Sequence, residues 1–389
     1  MRVRAFGTWT LTVAALLILP AAPAAAVGPK WTTPPEIPLP PAVTGSTVRD
    51  VAVLSVNDVW TVGTYSDKTA HPMAAHWDGT GWTVPPMPQA PTPDVYSLAA
   101  VAGAGPSDVW AVGSIQSTAG TTSLLVHYDG HAWTVAPSTS VHADIPAALS
   151  DVDMVSSDDG WAVGRSTATS TTQVVILHWK SGVWTQVPAP KLTSSALNSV
   201  FVRSADDVWA AGTRQLADGR QGGLVLHWNG TSWLEVRVPD PVAPTDQVTL
   251  ASVSASTATD VWVTGSTCQP EILRCRPLVL QLAGGAWRDI PTVGGAELSE
   301  VVAFAPNDVW VFGYASSRMF SEFDHVEHWD GQQFTEDAAV SVPLGQVRNG
   351  AEPASALLGA ARDRATGELW AVGWLGDPTR GRPNAIRRG

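Results

Sequence analysis

Two cysteines, four tyrosines, no run of basic residues and no long apolar stretch after the first thirty positions: these scarcities bound the 389-residue chain before any motif is read. Structural zinc needs about four ligands, and one isolated cysteine pair does not supply them. Cys268 and Cys275 lie seven positions apart and are expected to form a local structural disulfide in an oxidising compartment. An acidic chain of formal charge −12 without lysine- or arginine-rich runs is a poor partner for nucleic acid or an anionic membrane surface. No segment carries a long helical period, and nothing after the first thirty residues is apolar enough to span a bilayer.

The opening stretch reads as an export signal. Arg2 and Arg4 precede an apolar run from Thr10 to Leu19, and small residues follow, ending in Ala24, Ala25 and Ala26. Residues 1–26 are expected to be removed, which takes the formal charge from −12 to −14 with the loss of two arginines. No cysteine stands at the cleavage point to take a lipid, so a free extracellular protein is expected, without membrane insertion after cleavage.

What the chain has in abundance is one repeated phrase. "NDVWTVG" begins at Asn57, "SDVWAVG" at Ser107, "DDGWAVG" at Asp158, "DDVWAAG" at Asp206, "TDVWVTG" at Thr259, "NDVWVFG" at Asn307 and "GELWAVG" at Gly367. An apolar residue precedes each motif tryptophan: Val48, Leu98, Leu149, Leu197, Leu250, Leu298 and Leu357. The interval is twelve in six copies and thirteen in the last. Segments such as "AAHWDGTGWT" follow, with two aromatic positions five apart, as in Trp77 and Trp82 or Trp329 and Phe334. These stretches are short, rich in Val, Trp and Thr, and broken by Asp, Gly and Asn, the pattern of strands joined by turns. A period near fifty residues with four strands (A to D) per unit predicts an all-β, seven-bladed β-propeller.

After Trp370 the chain has room for strand C of the seventh unit and no strand D. "KWTTPPEIP", from Lys30 to Pro38, matches "GWTVPPMP" from Gly81 and supplies it. Blade seven is therefore expected to combine residues 356–389 with 30–38, within one propeller domain over 27–389. Of the 18 tryptophans beyond the leader, 17 occupy repeat positions and are expected to pack blade on blade. The recurring aspartates (Asp58, Asp108, Asp159, Asp207, Asp260, Asp308) are expected to accept backbone N–H groups in the A–B turn. The strand C histidines (His76, His127, His178, His227, His328) fall on five different blades and cannot form one site.

These repeats resemble the kelch and galactose-oxidase-like seven-bladed propellers, and the "WDGTGWT" segment resembles the Asp-box of bacterial sialidase-like propellers. The resemblance implies the fold; it does not imply their chemistry. Galactose oxidase uses a cysteine–tyrosine crosslink at copper, whereas both cysteines here are expected to pair. None of Tyr65, Tyr96, Tyr128 and Tyr314 stands in a motif that marks a sialidase nucleophile. No cofactor is expected.

Intervals across the A–B and C–D turns barely vary, whereas those across the B–C and D–A loops do. The latter pair share one face, where binding is expected. Residues that break the pattern there are Tyr65, Arg165, Tyr314, Arg318, Asp324, His325, Trp374 and Arg380, with Asp377 and Arg382 nearby. Exposed aromatics beside Arg and Asp groups suit a glycan or a peptide. A second candidate is the channel, where Asp50, Asp151 and Glu300 could hold a hard cation such as Ca²⁺ if they point inward. The reading reached is a monomeric, non-enzymatic binding propeller for an extracellular glycan or protein. The alternative is a carbohydrate-active hydrolase or lyase at the channel mouth.

Overall fold

The computed structural model describes residues 30–89, 94–136, 146–168, 171–192, 194–239, 245–269, 274–316, 322–337, 355–376 and 381–389. The described residues form seven four-stranded antiparallel sheets, each ordered A-B-C-D from the channel outwards. Blade 1, for example, runs Gly45–Ser55, Asp58–Ser66, Ala70–Trp77 and Trp82–Thr83. Blade 7 takes strands A to C from Ser355–Arg362, Leu369–Leu375 and Arg382–Arg388, and its outer strand from Trp31–Thr32. Trp31 pairs with Arg388 and Thr32 with Arg387, so the start of the described chain closes the ring against its end.

Three letters of the repeated phrase, the aspartate, the tryptophan and the glycine, have mechanical roles. The aspartate opens strand B, and its carboxylate binds the strand C histidine rather than the turn backbone expected from its position. Asp58 Oδ1 lies 2.8 Å from His76 Nε2, and the same pair recurs at Asp108–His127, Asp159–His178, Asp207–His227 and Asp308–His328. The motif tryptophan stacks on that histidine; in blade 3 the rings of Trp161 and His178 are 3.9 Å apart and 8° from parallel. Its other side enters the next blade between the C and D aromatics, as Trp161 does against Trp228 and Trp233 at 5.0 and 5.2 Å. Each such ring removes roughly 150–250 Å² from water at a blade seam.

The motif glycine answers to a bulge. All seven A strands shift register immediately after the leading apolar residue, as between Leu149 and Asp151. That shift presses a strand A carbonyl onto the strand B glycine, so a Cβ on Gly164 would sit 2.1 Å from the oxygen of Ala148. The bulge also inverts the alternation of faces. Leu149 and Val152, three apart, both pack towards blade 2, while Asp151 and Asp153 reach the backbone of blade 4.

Candidate functional site

The A strands surround a cavity of about 750 Å³ that runs from a ring of polar side chains to the A–B turns. Asp50, Asp151, Asp153, Ser199, Ser254 and Glu300 line it. Their oxygens clip one blade to the next. Asp50 Oδ2 accepts the Val101 N–H at 2.8 Å, Asp151 Oδ2 that of Val200 at 2.7 Å, and Asp153 Oδ2 that of Val202 at 2.8 Å. Serines make the same crossing where carboxylates do not: Ser199 Oγ accepts from Val253, Ser252 Oγ from Val301 and Ser254 Oγ from Ala303. Ser252 also donates to Glu300 Oε1, which accepts the Val301 N–H at 3.1 Å.

These carboxyls keep some accessible surface, which faces the cavity. Burial, joined by the charge of Asp153, pushes Asp50 up to about 7 against the hydrogen bonds it accepts. Burial and the nearby Asp50 push Glu300 up to about 8, and burial with Asp50 and Glu300 raises Asp151 well above the usual carboxylate range. The three residues therefore do share the channel, yet they do not make the cation cage considered from the sequence. Among the described residues no three His, Cys, Asp or Glu side chains are grouped closely enough to hold a metal ion. Backbone amides of neighbouring blades take oxygens that a cage would have used.

At the A–B mouth the lining becomes basic, with Arg203, Arg362 and Arg364. Arg203 pairs with Asp207, and the Arg362 guanidinium lies 4.5 Å from the Phe304 ring centre. The sequence holds a signal for two of them. Six A–B connections have two residues, whereas that of blade 7 has six, 363–368, and takes up the one extra residue of the thirteen-residue interval. Asp363 organises this longer turn by accepting from Ala365 N–H and Thr366 Oγ1, both at 2.8 Å.

On the opposite face the predicted binding residues divide. Trp374 is 7% exposed, so the aromatic expected at the surface is buried there. Strand alternation explains it: Trp374 pairs with Ala356 and Pro383 within blade 7 and points into a seam. His325 is 4% exposed, and its Nε2 lies 2.7 Å from Glu327 Oε1. Glu327 in turn accepts the N–H groups of Val293 and Gly294 at 3.0 and 3.1 Å, which ties the D–A loop before blade 6 over the pair. Asp324 accepts from Asn384 Nδ2 at 2.9 Å, and burial pushes it up to about 6 despite hydrogen bonds from Ser355 and Asn384. Asp324, His325 and Trp374 thus act within the scaffold rather than on its surface.

Tyr65 is half-buried and stacks on His71 at 5.0 Å. Tyr314 Oη donates to Glu297 Oε2 at 2.8 Å from a partly exposed position, and Arg165 is exposed. Arg382 pairs with Glu36 at 3.1 Å. Arg318, Asp377 and Arg380 lie outside the described residues. Cys268 and Cys275 form the expected disulfide, joining strand B to strand C of blade 5.

No protein-family model matches the chain, and no curated protein matches it either. Solved propellers do. Trypanosoma rangeli sialidase in complex with 2,3-difluorosialic acid is 10% identical over 90% of this chain, with a TM-score of 0.46. This chain spans 56% of that sialidase's length. The fucose-specific lectin of Aleuria aurantia is 12% identical over 77% of this chain and 98% of its own, also with a TM-score of 0.46. Likeness at this level carries no argument about fold, ligand or chemistry. By its own topology the chain is an all-β, seven-bladed propeller of four-stranded blades, closed by its N-terminal strand.

Proposed function

We propose that the chain is an exported, non-enzymatic binding propeller of the kelch or galactose-oxidase-like type. Its ligand is an extracellular glycan or protein, held on the face formed by the B–C and D–A loops. The observation that supports this is the unequal individuality of the two faces. On one face, six A–B connections have two residues each. Four C–D turns there repeat a single device, in which Asp78, Asp129, Asn229 or Asp330 Oδ1 accepts two following N–H groups. On the other face, the B–C connections run from two residues in blade 2 to seven in blade 3. Rigid scaffolds carry recognition where their loops differ. A thermal-shift screen of residues 27–389 against polysaccharides and divalent cations tests this, since a ligand of the folded state raises the melting temperature. Tyr314→Ala and Arg165→Ala should abolish the rise while leaving the unliganded melting temperature nearly unchanged. If both variants keep the full rise, those residues do not contact the ligand.

One observation favours a second reading, a carbohydrate-active hydrolase or lyase at the channel mouth. Asp50 and Glu300, raised to about 7 and about 8, hold protons near neutrality as a general acid must. Product analysis on any glycan that raises the melting temperature separates the two: unchanged glycan supports the binder, and fragments support the enzyme.

A further inference from the structure

The face made by the A–B and C–D turns breaks its own pattern in blade 5. In blades 1, 2, 4 and 6 a glycine of the C–D turn rests on the A–B turn of the same blade. An added Cβ on Gly79, Gly130, Gly230 or Gly331 would meet Asn57, Ser107, Asp206 or Asn307 at 2.5, 2.7, 2.8 and 2.8 Å respectively. Gly284 holds the same place in blade 5, and there the added atom would meet nothing within 4 Å. The aspartate or asparagine that organises the other four turns is Ala283 here. The C–D turn of blade 5 thus stands away from its A–B turn, and a groove of about 550 Å³ opens along the seam with blade 6.

Two further departures furnish that groove. Gln281, near the end of strand C (Arg274–Ala283), replaces the repeat histidine. Arg288, on strand D (Ala286–Asp289), replaces the threonine that pairs with that histidine in blades 1, 2, 3 and 6. Arg288 Nη2 donates to Gln281 Oε1 at 2.9 Å, and Gln281 Nε2 donates to Asp260 Oδ1 at 2.6 Å. Asp260 Oδ2 accepts from Trp262 Nε1 at 3.0 Å, so the relay is anchored in the core. Ile290 and Trp329, each 9% exposed, form the floor, and Trp329 Nε1 is fixed on the Pro306 carbonyl at 3.1 Å. Arg288, Thr257, Thr259 and Gln332 are exposed and make the rim.

We propose that this groove binds a neutral saccharide, at a site separate from the loop face and on the opposite side of the ring. A pyranose ring has an apolar C–H face and an edge of hydroxyls that both donate and accept. An apolar floor under a rim of guanidinium, amide and hydroxyl groups is complementary to both. Both oxygens of Asp260 already accept hydrogen bonds within the scaffold, so the carboxylate in the lining is not offered to a cationic ligand. The relay restrains Arg288 before a ligand arrives, which lowers the side-chain freedom lost on docking.

The test is titration calorimetry on residues 27–389 with cellohexaose, mannohexaose, laminarihexaose, hexagalacturonate and hexaglycine. At least one neutral hexasaccharide should bind more tightly than hexagalacturonate and hexaglycine. Gln332→Ala and Arg288→Thr should each weaken that binding by about tenfold, the loss expected when one hydrogen bond to the ligand is left unmade. Their melting temperatures should match the parent, because the Gln332 side chain is exposed and threonine is the residue that other blades carry at the Arg288 position. A parent stoichiometry of two that drops to one in these variants would support this groove alongside a loop-face site. Hexagalacturonate or hexaglycine binding as tightly as the best neutral sugar would overturn the proposal. Binding that survives both variants and is lost with Tyr314→Ala belongs to the loop face; it overturns the groove and leaves the loop-face reading standing. If no neutral hexasaccharide binds, the groove proposal falls, whatever the loop face holds.

Discussion

At the scale of the residue, the channel sets charge against packing. Glu300, Asp50 and Asp151 hold protons to higher pH in the folded chain than in the unfolded one, where ordinary values of 4.5 and 3.8 apply. Their contribution to stability is intact below those ordinary values and is lost as pH rises through about 7 to 8. The melting temperature should therefore fall between pH 5 and pH 8. Glu300→Gln is the informative variant, because its amide oxygen can still accept from Ser252 and Val301 as Oε1 does. Calorimetry should find the variant close to the parent at pH 5 and higher by a few degrees at pH 8. Parallel curves at both pH values would show that Glu300 is already ionised in the native channel. Arg362 and Arg364 were out of reach of pattern reading for a related reason: a one-residue lengthening looks like noise until the turn that absorbs it is seen at the mouth of a cavity.

At the scale of the element, the strand A bulge makes the motif glycine obligatory. On Gly212 a Cβ would stand 2.1 Å from the carbonyl oxygen of Ala196, and backbone on both sides leaves it nowhere to go. Gly212→Ala should cost several kcal/mol, on the order of the larger single-site losses. Gly219→Ala, in an open turn at φ +86° with nothing near the added atom, should cost about 1 kcal/mol. Denaturant melts of the two variants decide it, and equal midpoints would mean that the bulge relaxes. Blade number, strand order and the Trp stacking were legible because seven copies repeat the same spacing. The bulge was not, since a register shift leaves no mark in composition. Without it the face of Asp151 could not be assigned: a one-residue slip reverses every side chain that follows. The aspartates were misread for a different reason. Their histidine partners lie eighteen to twenty residues away on another strand, as in Asp58–His76 and Asp207–His227, beyond what a turn motif announces.

At the scale of the molecule, the seam at blade 7 is held differently from the other six. Its D strand contributes two pairs, Trp31–Arg388 and Thr32–Arg387. Around them, Trp31 packs edge-on against Trp310 and Phe312, each 6.1 Å away, and donates to Asp337 at 3.1 Å. The Ser46 N–H adds a bond to the carbonyl of Gly381 at 2.8 Å. Trp31→Ala should open this seam first. Hydrogen exchange should then lose protection in Leu369–Leu375 and Arg382–Arg388 before the B strands of blades 2 to 5. Uniform loss around the ring would instead mean that closure is no weaker than any other seam. The same geometry sets a timetable for synthesis. A ribosome releases residue 31 some 350 residues before the strand that will receive it. The first strand must wait, unpaired, until the last has been made. A chain without Arg382–Arg388 would leave Trp31–Thr32 unpaired and blade 7 ending on the open edge of its strand B, a product that quality control can recognise and remove.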